Sequence, residues 1–276
     1  MPSAVVTGAA RGLGRAVAST LSVRGYTVHV TDVEETEAVE AAGAIGGQAF
    51  GSALDVRDEE ACHSVAAATV QMTGSLDLWV NNAGVLITGD AWEQDAAARR
   101  LMIDVNLIGT MNGTVAALEP MMAAGRGHVI NVISLTGLVA APGEVAYAAS
   151  KHGAIAFTLG TLLDLRRAGI RGIHLSALCP DGIWTPMLKN KVDDPAAAVS
   201  FSGVLLTPEQ VAAELGRLVD RPRPVASFPR WRGALVRTLD TFPALGAIGV
   251  GWFMRDAARR QRRYRRLIES GQWPPP

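Results

Sequence analysis

The chain has 276 residues, 49% of them hydrophobic and 19% charged, with 26 basic side chains balanced by 26 acidic ones. That length and apolar content suffice for one sizeable core, and the lack of any recognised RNA- or DNA-binding module argues against a nucleic-acid partner. Cys62 and Cys179 are too few for a disulfide framework, no basic segment precedes an apolar leader, and nowhere do eighteen apolar residues run together, so a cytoplasmic setting is expected.

An apolar strand, Ser3 to Thr7, opens the chain and runs straight into Thr7-Gly8-Ala9-Ala10-Arg11-Gly12-Leu13-Gly14, followed by an Ala-rich helical stretch from Arg15 to Arg24. Strand, glycine turn and helix in that order make a dinucleotide cradle. Gly8 permits the tight turn, Gly12 removes a Cβ that would block a pyrophosphate, and Gly14 lets the helix pack against the strand. The second strand, Tyr26 to Val33, carries Asp32 where an acidic residue would receive the adenosine ribose hydroxyls. A carboxylate there accepts a free 2′-hydroxyl and repels a 2′-phosphate, which favours NAD over NADP. Arg11 points the other way, since a guanidinium in the glycine turn could reach a 2′-phosphate. Further apolar strands are expected at Leu76 to Val80 and Val129 to Ile133, with helical segments around Ala96 to Leu118 and Tyr147 to Arg166. This alternation predicts one α/β domain, a Rossmann-like doubly wound parallel sheet with helices on both faces. The domain is expected over residues 1–220, with an extension over 221–276.

The chain has only three Tyr and three Lys, yet Tyr147 and Lys151 stand four residues apart. On a helix that spacing puts both side chains on one face, where an ammonium beside a phenol favours its ionised form. Taken alone, the pair also fits a half-buried Tyr beside a solvated Lys. Together with the glycine turn, it resembles the short-chain dehydrogenase/reductase family, over roughly Ser3 to Leu215. Further landmarks follow in family order. Asp55-Val56 is similar to the adenine-contacting pair, and Asn81-Asn82-Ala83-Gly84 to the family's Asn-Asn-Ala-Gly element. Asn106 and Ser134 resemble the catalytic Asn and Ser, and Pro180 to Thr185 the Pro-Gly-x-x-x-Thr loop beside the nicotinamide.

The resemblance implies a catalytic set of Asn106, Ser134, Tyr147 and Lys151. It implies cofactor contacts from Gly8, Arg11, Gly12, Leu13, Gly14, Asp32, Asp55, Val56, Asn82, Ala83, Gly84, Tyr147, Lys151, Pro180, Gly182, Ile183 and Thr185. Tyr147 would take the proton of a substrate hydroxyl while hydride leaves for the nicotinamide, with Ser134 holding the oxygen. Lys151 would also hold the nicotinamide ribose, and Asn106 would keep a water in the proton path. One position departs from the pattern: Asp181 stands where the family usually has Gly. Its carboxylate is expected either to form an Asx-type turn or to line the substrate mouth, with Gly182 taking over the permissive backbone conformation.

The substrate loop of the family falls here at Pro186 to Thr207, rich in Met, Leu, Val and Phe, which predicts an apolar pocket for a lipophilic secondary alcohol or ketone of steroid, terpenoid, retinoid or aromatic type. The alternatives are an NADPH-dependent 3-ketoacyl reductase and a non-catalytic NAD-binding sensor. The five histidines (His29, His63, His128, His152, His174) are scattered without ligand spacing, so no metal is expected. By resemblance, the helical faces around Ala96 to Leu118 and Tyr147 to Arg166 would pair subunits in a homodimer or homotetramer. Residues 221–276 carry twelve Arg against Asp240, Asp256 and Glu269. This extension could lie on a membrane, cap the substrate cleft, meet an acidic partner, or be a solvated basic helix packed on the sheet.

Overall fold

The computed structural model describes residues 1–273, with side chains throughout except at 243 and 245–247. In chain order the elements are β1 (Ser3–Thr7), α1 (Gly12–Val23), β2 (Thr27–Asp32), α2 (Glu35–Ile45), β3 (Ala49–Ala53), α3 (Glu59–Thr73) and β4 (Leu78–Asn81). There follow α4 (Ala96–Ile103), a π-helical turn (Asp104–Ile108), α5 (Gly109–Ala124), β5 (Gly127–Val132), α6 (Val145–Arg167) and β6 (Ile173–Pro180). The chain continues with α7 (Pro186–Lys189), a 3₁₀ segment (Pro195–Phe201), α8 (Pro208–Asp220), β7 (Val225–Phe228), α9 (Arg230–Thr241) and α10 (Pro243–Glu269).

The seven strands form one sheet in the order β3-β2-β1-β4-β5-β6-β7, every pair parallel. Successive residues of a strand face opposite sides, and β1 feeds both cores. Ala4 and Val6 pack with Leu13, Val17 and Leu21 of α1 and Leu215 and Leu218 of α8. Val5 packs with Trp79, Ala116, Met121 and Leu165 on the other face. Such two-sided burial is why the strands read as near-continuous apolar runs. Strand order reverses between β1 and β4, and the carboxyl ends of the strands there open a crevice where ligands bind in doubly wound sheets.

Beneath that crevice lies a closed polar network. Asn81 donates through Nδ2 to Thr114 Oγ1 (3.1 Å) and Asn131 Oδ1 (2.8 Å) and accepts from Trp79 Nε1 (2.7 Å). A Cβ on Gly113 would stand 2.1 Å from Asn81 Oδ1, so the glycine lets α5 reach this network. The sheet also takes β7 from the stretch assigned to the extension. The body therefore continues past residue 220, and α9 packs on β7, where a Cβ on Gly233 would meet Ser227 Oγ. α1 starts at Gly12, three residues before the expected Arg15, which brings its amino end into the glycine turn.

Candidate active site

Two loops build the floor of the crevice. Gly8 (φ +63°) and Gly12 (φ +57°) occupy left-handed backbone conformations that favour glycine. A Cβ on Gly8 would stand 2.7 Å from Ala83 Cα, and one on Gly14 would stand 2.3 Å from the Gly8 carbonyl oxygen. The loops are stitched together: Asn82 and Ala83 donate their backbone N–H groups to Thr7 Oγ1 (3.1 Å each), and Asn82 Nδ2 donates to the Thr7 and Gly8 carbonyls (2.9 Å each). α1 begins at Gly12 without a side-chain cap, so its first N–H groups and positive end face the crevice, an anion-binding arrangement. Glycines that admit a pyrophosphate and an uncapped helix end fit a dinucleotide.

At the end of β2, Asp32 Oδ2 accepts the Ala10 N–H at 3.1 Å, which orients the carboxylate over the glycine turn. Arg11 leans to Glu37 (3.7 Å), both exposed. Asp55 is held by Arg57, whose Nε lies 2.9 and 3.0 Å from its two oxygens, and this hydrogen bonding holds its carboxyl below the ordinary carboxylate range. Val56 abuts Gly109, where a Cβ would come within 2.5 Å of Val56 Cγ2.

Asn106 sits in the π-helical turn that interrupts the run from α4 to α5, a distortion frequent at functional sites. It is fully buried, accepts Val85 N–H at Oδ1 (2.8 Å), and donates through Nδ2 to the Val85 carbonyl (2.9 Å) and Ser150 Oγ (3.2 Å). Ser134 follows β5 and caps a short 3₁₀ turn, its Oγ accepting Thr136 N–H. Tyr147 and Lys151 lie in the first two turns of α6, with Lys151 Nζ 5.7 Å from the Tyr147 ring centre and donating to the Val132 carbonyl (3.0 Å). Burial raises the Tyr147 phenol above its ordinary value, the nearby Glu144 carboxylate raises it further, and the Ser134 hydroxyl opposes both. Burial also lowers Lys151 to about 8. The expected pull of the Lys151 ammonium toward phenolate is thus opposed by burial. Among the protein's own groups desolvation outweighs it, though the phenol reaches the cleft, where solvent tempers the push.

These groups line one cleft of about 430 Å³. Ser134, Tyr147, Lys151 and every expected cofactor residue except Gly14 border it. Gly14 packs beneath the glycine turn, and Asn106 stands behind Val85.

The region around Asp181 differs from expectation. Its Oδ1 accepts Gly182 N–H (3.1 Å), while Oδ2 accepts Val204 N–H (3.0 Å) and Arg232 Nε (3.0 Å). Arg232 Nη2 donates on to Ser202 Oγ at 3.2 Å. Asp181 borders the cleft, but its carboxylate is engaged in an almost fully buried ion pair with α9. Gly182 is absent from the positive-φ glycines, which corrects the idea that it takes over the permissive conformation. Its need is for space: a Cβ there would stand 2.2 Å from the Ser200 carbonyl oxygen.

Sequence reasoning also missed Glu144, Ser200 and the particular contacts by which α10 meets the substrate loop. Glu144 Oε1 accepts Ser200 Oγ at 2.6 Å, Oε2 is buried without a hydrogen-bond partner, and burial raises the carboxyl to about 7. Its position three residues before Tyr147 was the only local signal. The carboxyl-terminal half of α10 covers the substrate loop. Tyr264 Oη accepts Leu205 N–H (3.1 Å), Gln261 Nε2 donates to the Lys191 and Asp194 carbonyls (3.1 and 2.8 Å), and Arg265 pairs with Asp193 (2.8 Å). Tyr264, Ile268 and Trp273 pack on Trp184, Leu188, Phe201 and Leu205. This part of the extension braces the substrate loop from outside the cleft.

A family model for short chain dehydrogenases matches residues 2–196. The trans-4-hydroxycyclohexanecarboxylate dehydrogenase of Sinomonas cyclohexanicum is 35% identical over 193 residues, 67% of this chain and 73% of that one. The cyclopentanol dehydrogenase of a Comamonas species is 33% identical over 205 residues, 73% and 81% of the two chains. Among solved structures, a short chain dehydrogenase/reductase from Burkholderia phymatum in complex with NAD aligns with a TM-score of 0.79 and 26% identity, covering 86% of this chain and 92% of that one.

Proposed function

We propose, from the premise that this chain belongs to the short-chain dehydrogenase/reductase family and acts on CH–OH groups, that its cofactor is NAD and its substrate a lipophilic secondary alcohol or the matching ketone. The observation that carries the cofactor choice is Asp32. Its carboxylate is held at the end of β2 by the Ala10 N–H, and Arg11, the guanidinium of the glycine turn, leans to Glu37. A 2′-phosphate at that place would meet a fixed negative charge. The similar structure solved with NAD agrees with this cofactor, and the two relatives named for cyclic alcohols agree with a secondary alcohol substrate. The apolar cluster of Trp184, Leu188, Phe201 and Leu205 beside the cleft supports a lipophilic substrate.

Placement supports the following roles. Gly8, Gly12 and the amino end of α1 would hold the phosphates, Asp32 the adenosine ribose, and Pro180 to Thr185 the nicotinamide side. A bound dinucleotide would supply a hydride acceptor and a positive ring that favours phenolate at Tyr147. Ser134 Oγ donates a hydrogen bond to the substrate oxygen, and the Tyr147 phenolate takes its proton as the C=O bond forms. Lys151, anchored on the Val132 carbonyl, supplies positive charge beside Tyr147. Asn106 shapes the backbone turn at Val85 through two hydrogen bonds.

Assembly and setting belong to the same reading. Leu101 on α4, Ile108 in the π-helical turn, and Val115 and Met122 on α5 stand exposed, apolar groups that suit a homodimer face. Buried free thiols at Cys62 and Cys179 agree with a reducing cytoplasm. The test is turnover and binding with NAD(H) and NADP(H) in parallel, with Asp32→Ala alongside. The wild type is expected to prefer NAD(H) and the variant to lose that preference; equal or better turnover with NADP(H) by the wild type would overturn the assignment.

A further inference from the structure

We infer that the exposed apolar side chains from Trp231 on α9 to Phe242, and those of Ile248 to Trp252 on α10, form a docking surface for an anionic lipid bilayer. Seven of the 21 large apolar side chains exposed among the described residues fall in these two stretches. On α9, Trp231 (59% exposed), Leu235 and Leu239 recur every fourth residue and share one outward face. The opposite face, with Gly233 and Val236, packs inward. A solvated helix would carry polar residues on its outer side, so an apolar stripe there marks a contact surface. The stripe continues through Phe242 at the α9–α10 junction to Ile248 (84% exposed) and Trp252 (68% exposed) in the first half of α10.

Charge selects the occupant. Residues 221–276 hold twelve Arg against three acidic residues. Arg230, Arg237, Arg255 and Arg259, within and flanking the apolar stretch, make no ion pair among the described residues. Apolar side chains with Trp among them, interleaved with free guanidinium groups, match a bilayer interface with negative headgroups. Two copies meeting through this patch would bring the same positive surplus face to face. Insertion across the bilayer does not fit. The apolar part of α10 is shorter than the roughly 20 residues a span requires, and the helical run long and apolar enough, Ala96–Ala124, is half buried in the body. The stretch therefore lies in the plane of the interface. Because the other half of α10 grips Leu205 and the Lys191–Asp194 turn, docking would set the substrate side of the cleft against the lipid.

The experiment is flotation of the full-length protein with phosphatidylcholine vesicles and with mixed phosphatidylcholine and phosphatidylglycerol vesicles. Binding is expected only to the anionic vesicles, falling by at least about tenfold near 1 M salt, where screening shortens to ~3 Å. The exposed-site variant Ile248→Ser/Trp252→Ser is expected to weaken partition by roughly tenfold or more while leaving turnover of a soluble ketone unchanged. Absence of vesicle binding, or binding that the variant leaves intact, overturns the inference. So does a wild-type oligomer, measured by light scattering without lipid, that the variant dissociates. Flotation reads no chemistry, so its failure would leave the dehydrogenase assignment standing.

Discussion

Replacing Glu144 by Gln separates two effects of one buried carboxyl. Its folded value near 7, against 4.5 in the open chain, means the fold favours the protonated form. Stability from this group is full below the unfolded value and lost as pH rises through about 7. Raising the carboxyl from 4.5 to about 7 corresponds to ~3 kcal/mol at pH 8.5 and almost nothing at pH 4.5. Gln keeps an acceptor for Ser200 Oγ and exchanges the unpartnered Oε2 for an amide group, a trade of one unsatisfied polar atom for another. Urea unfolding should therefore find Glu144→Gln more stable than the wild type by ~1–3 kcal/mol at pH 8.5, with the advantage gone near pH 4.5. Since the carboxylate also raises Tyr147, the rising limb of the pH–rate profile for alcohol oxidation should move to lower pH in the variant. Equal stability differences at the two pH values, or an unmoved profile, would refute the reasoning.

Acid sensitivity should come from two buried histidines. Burial lowers His29 to about 4 and His128 to about 3, so each is neutral in the fold, and its stabilisation fades as pH falls below the unfolded value of 6.5. Between pH 6.5 and 4.5 the two together cost about 2.8 kcal/mol per pH unit, and Glu144 offsets half of that. The wild-type slope should be ~1.4 kcal/mol per unit and that of Glu144→Gln about double; a flat profile in denaturant melts would contradict the neutral assignment. Arg232→Leu should cost ~3–5 kcal/mol by stranding the buried Asp181 carboxylate, and Asp181→Gly added to it should recover part of the loss. A double variant whose loss equals the sum of the singles would show that the pair is not coupled.

The cofactor half of the site was open to sequence reasoning because its chemistry is local. Gly8, Gly12 and Gly14 lie in one turn, and Tyr147 and Lys151 in adjacent turns of one helix, so spacing alone reports their geometry. The same locality made the parallel sheet readable, since each strand is a short apolar run. The pairs missed join distant segments: Glu144 with Ser200, Asp181 with Arg232, Leu205 with Tyr264. No periodicity encodes such contacts, because each is decided by how the substrate loop folds over the sheet. The boundary at residue 220 was misplaced for a related reason. β7 is an edge strand of only four residues between Pro-containing segments, too short to announce itself beside the arginines that follow.

The clamp of α10 on the substrate loop also orders events in time. The cradle residues from Gly8 to Gly84 leave the ribosome before the rest of the site and can pair as soon as β4 docks on β1. Tyr264 and Gln261 emerge some sixty to seventy residues after the backbone groups they hold. Closing a loop of that length carries an entropic cost that later contacts must offset. Nascent chains should therefore complete the cofactor-contacting loops, through Thr185, before α10 can brace the substrate loop, and a chain arrested between the two would hold its cofactor beside an unbraced substrate pocket.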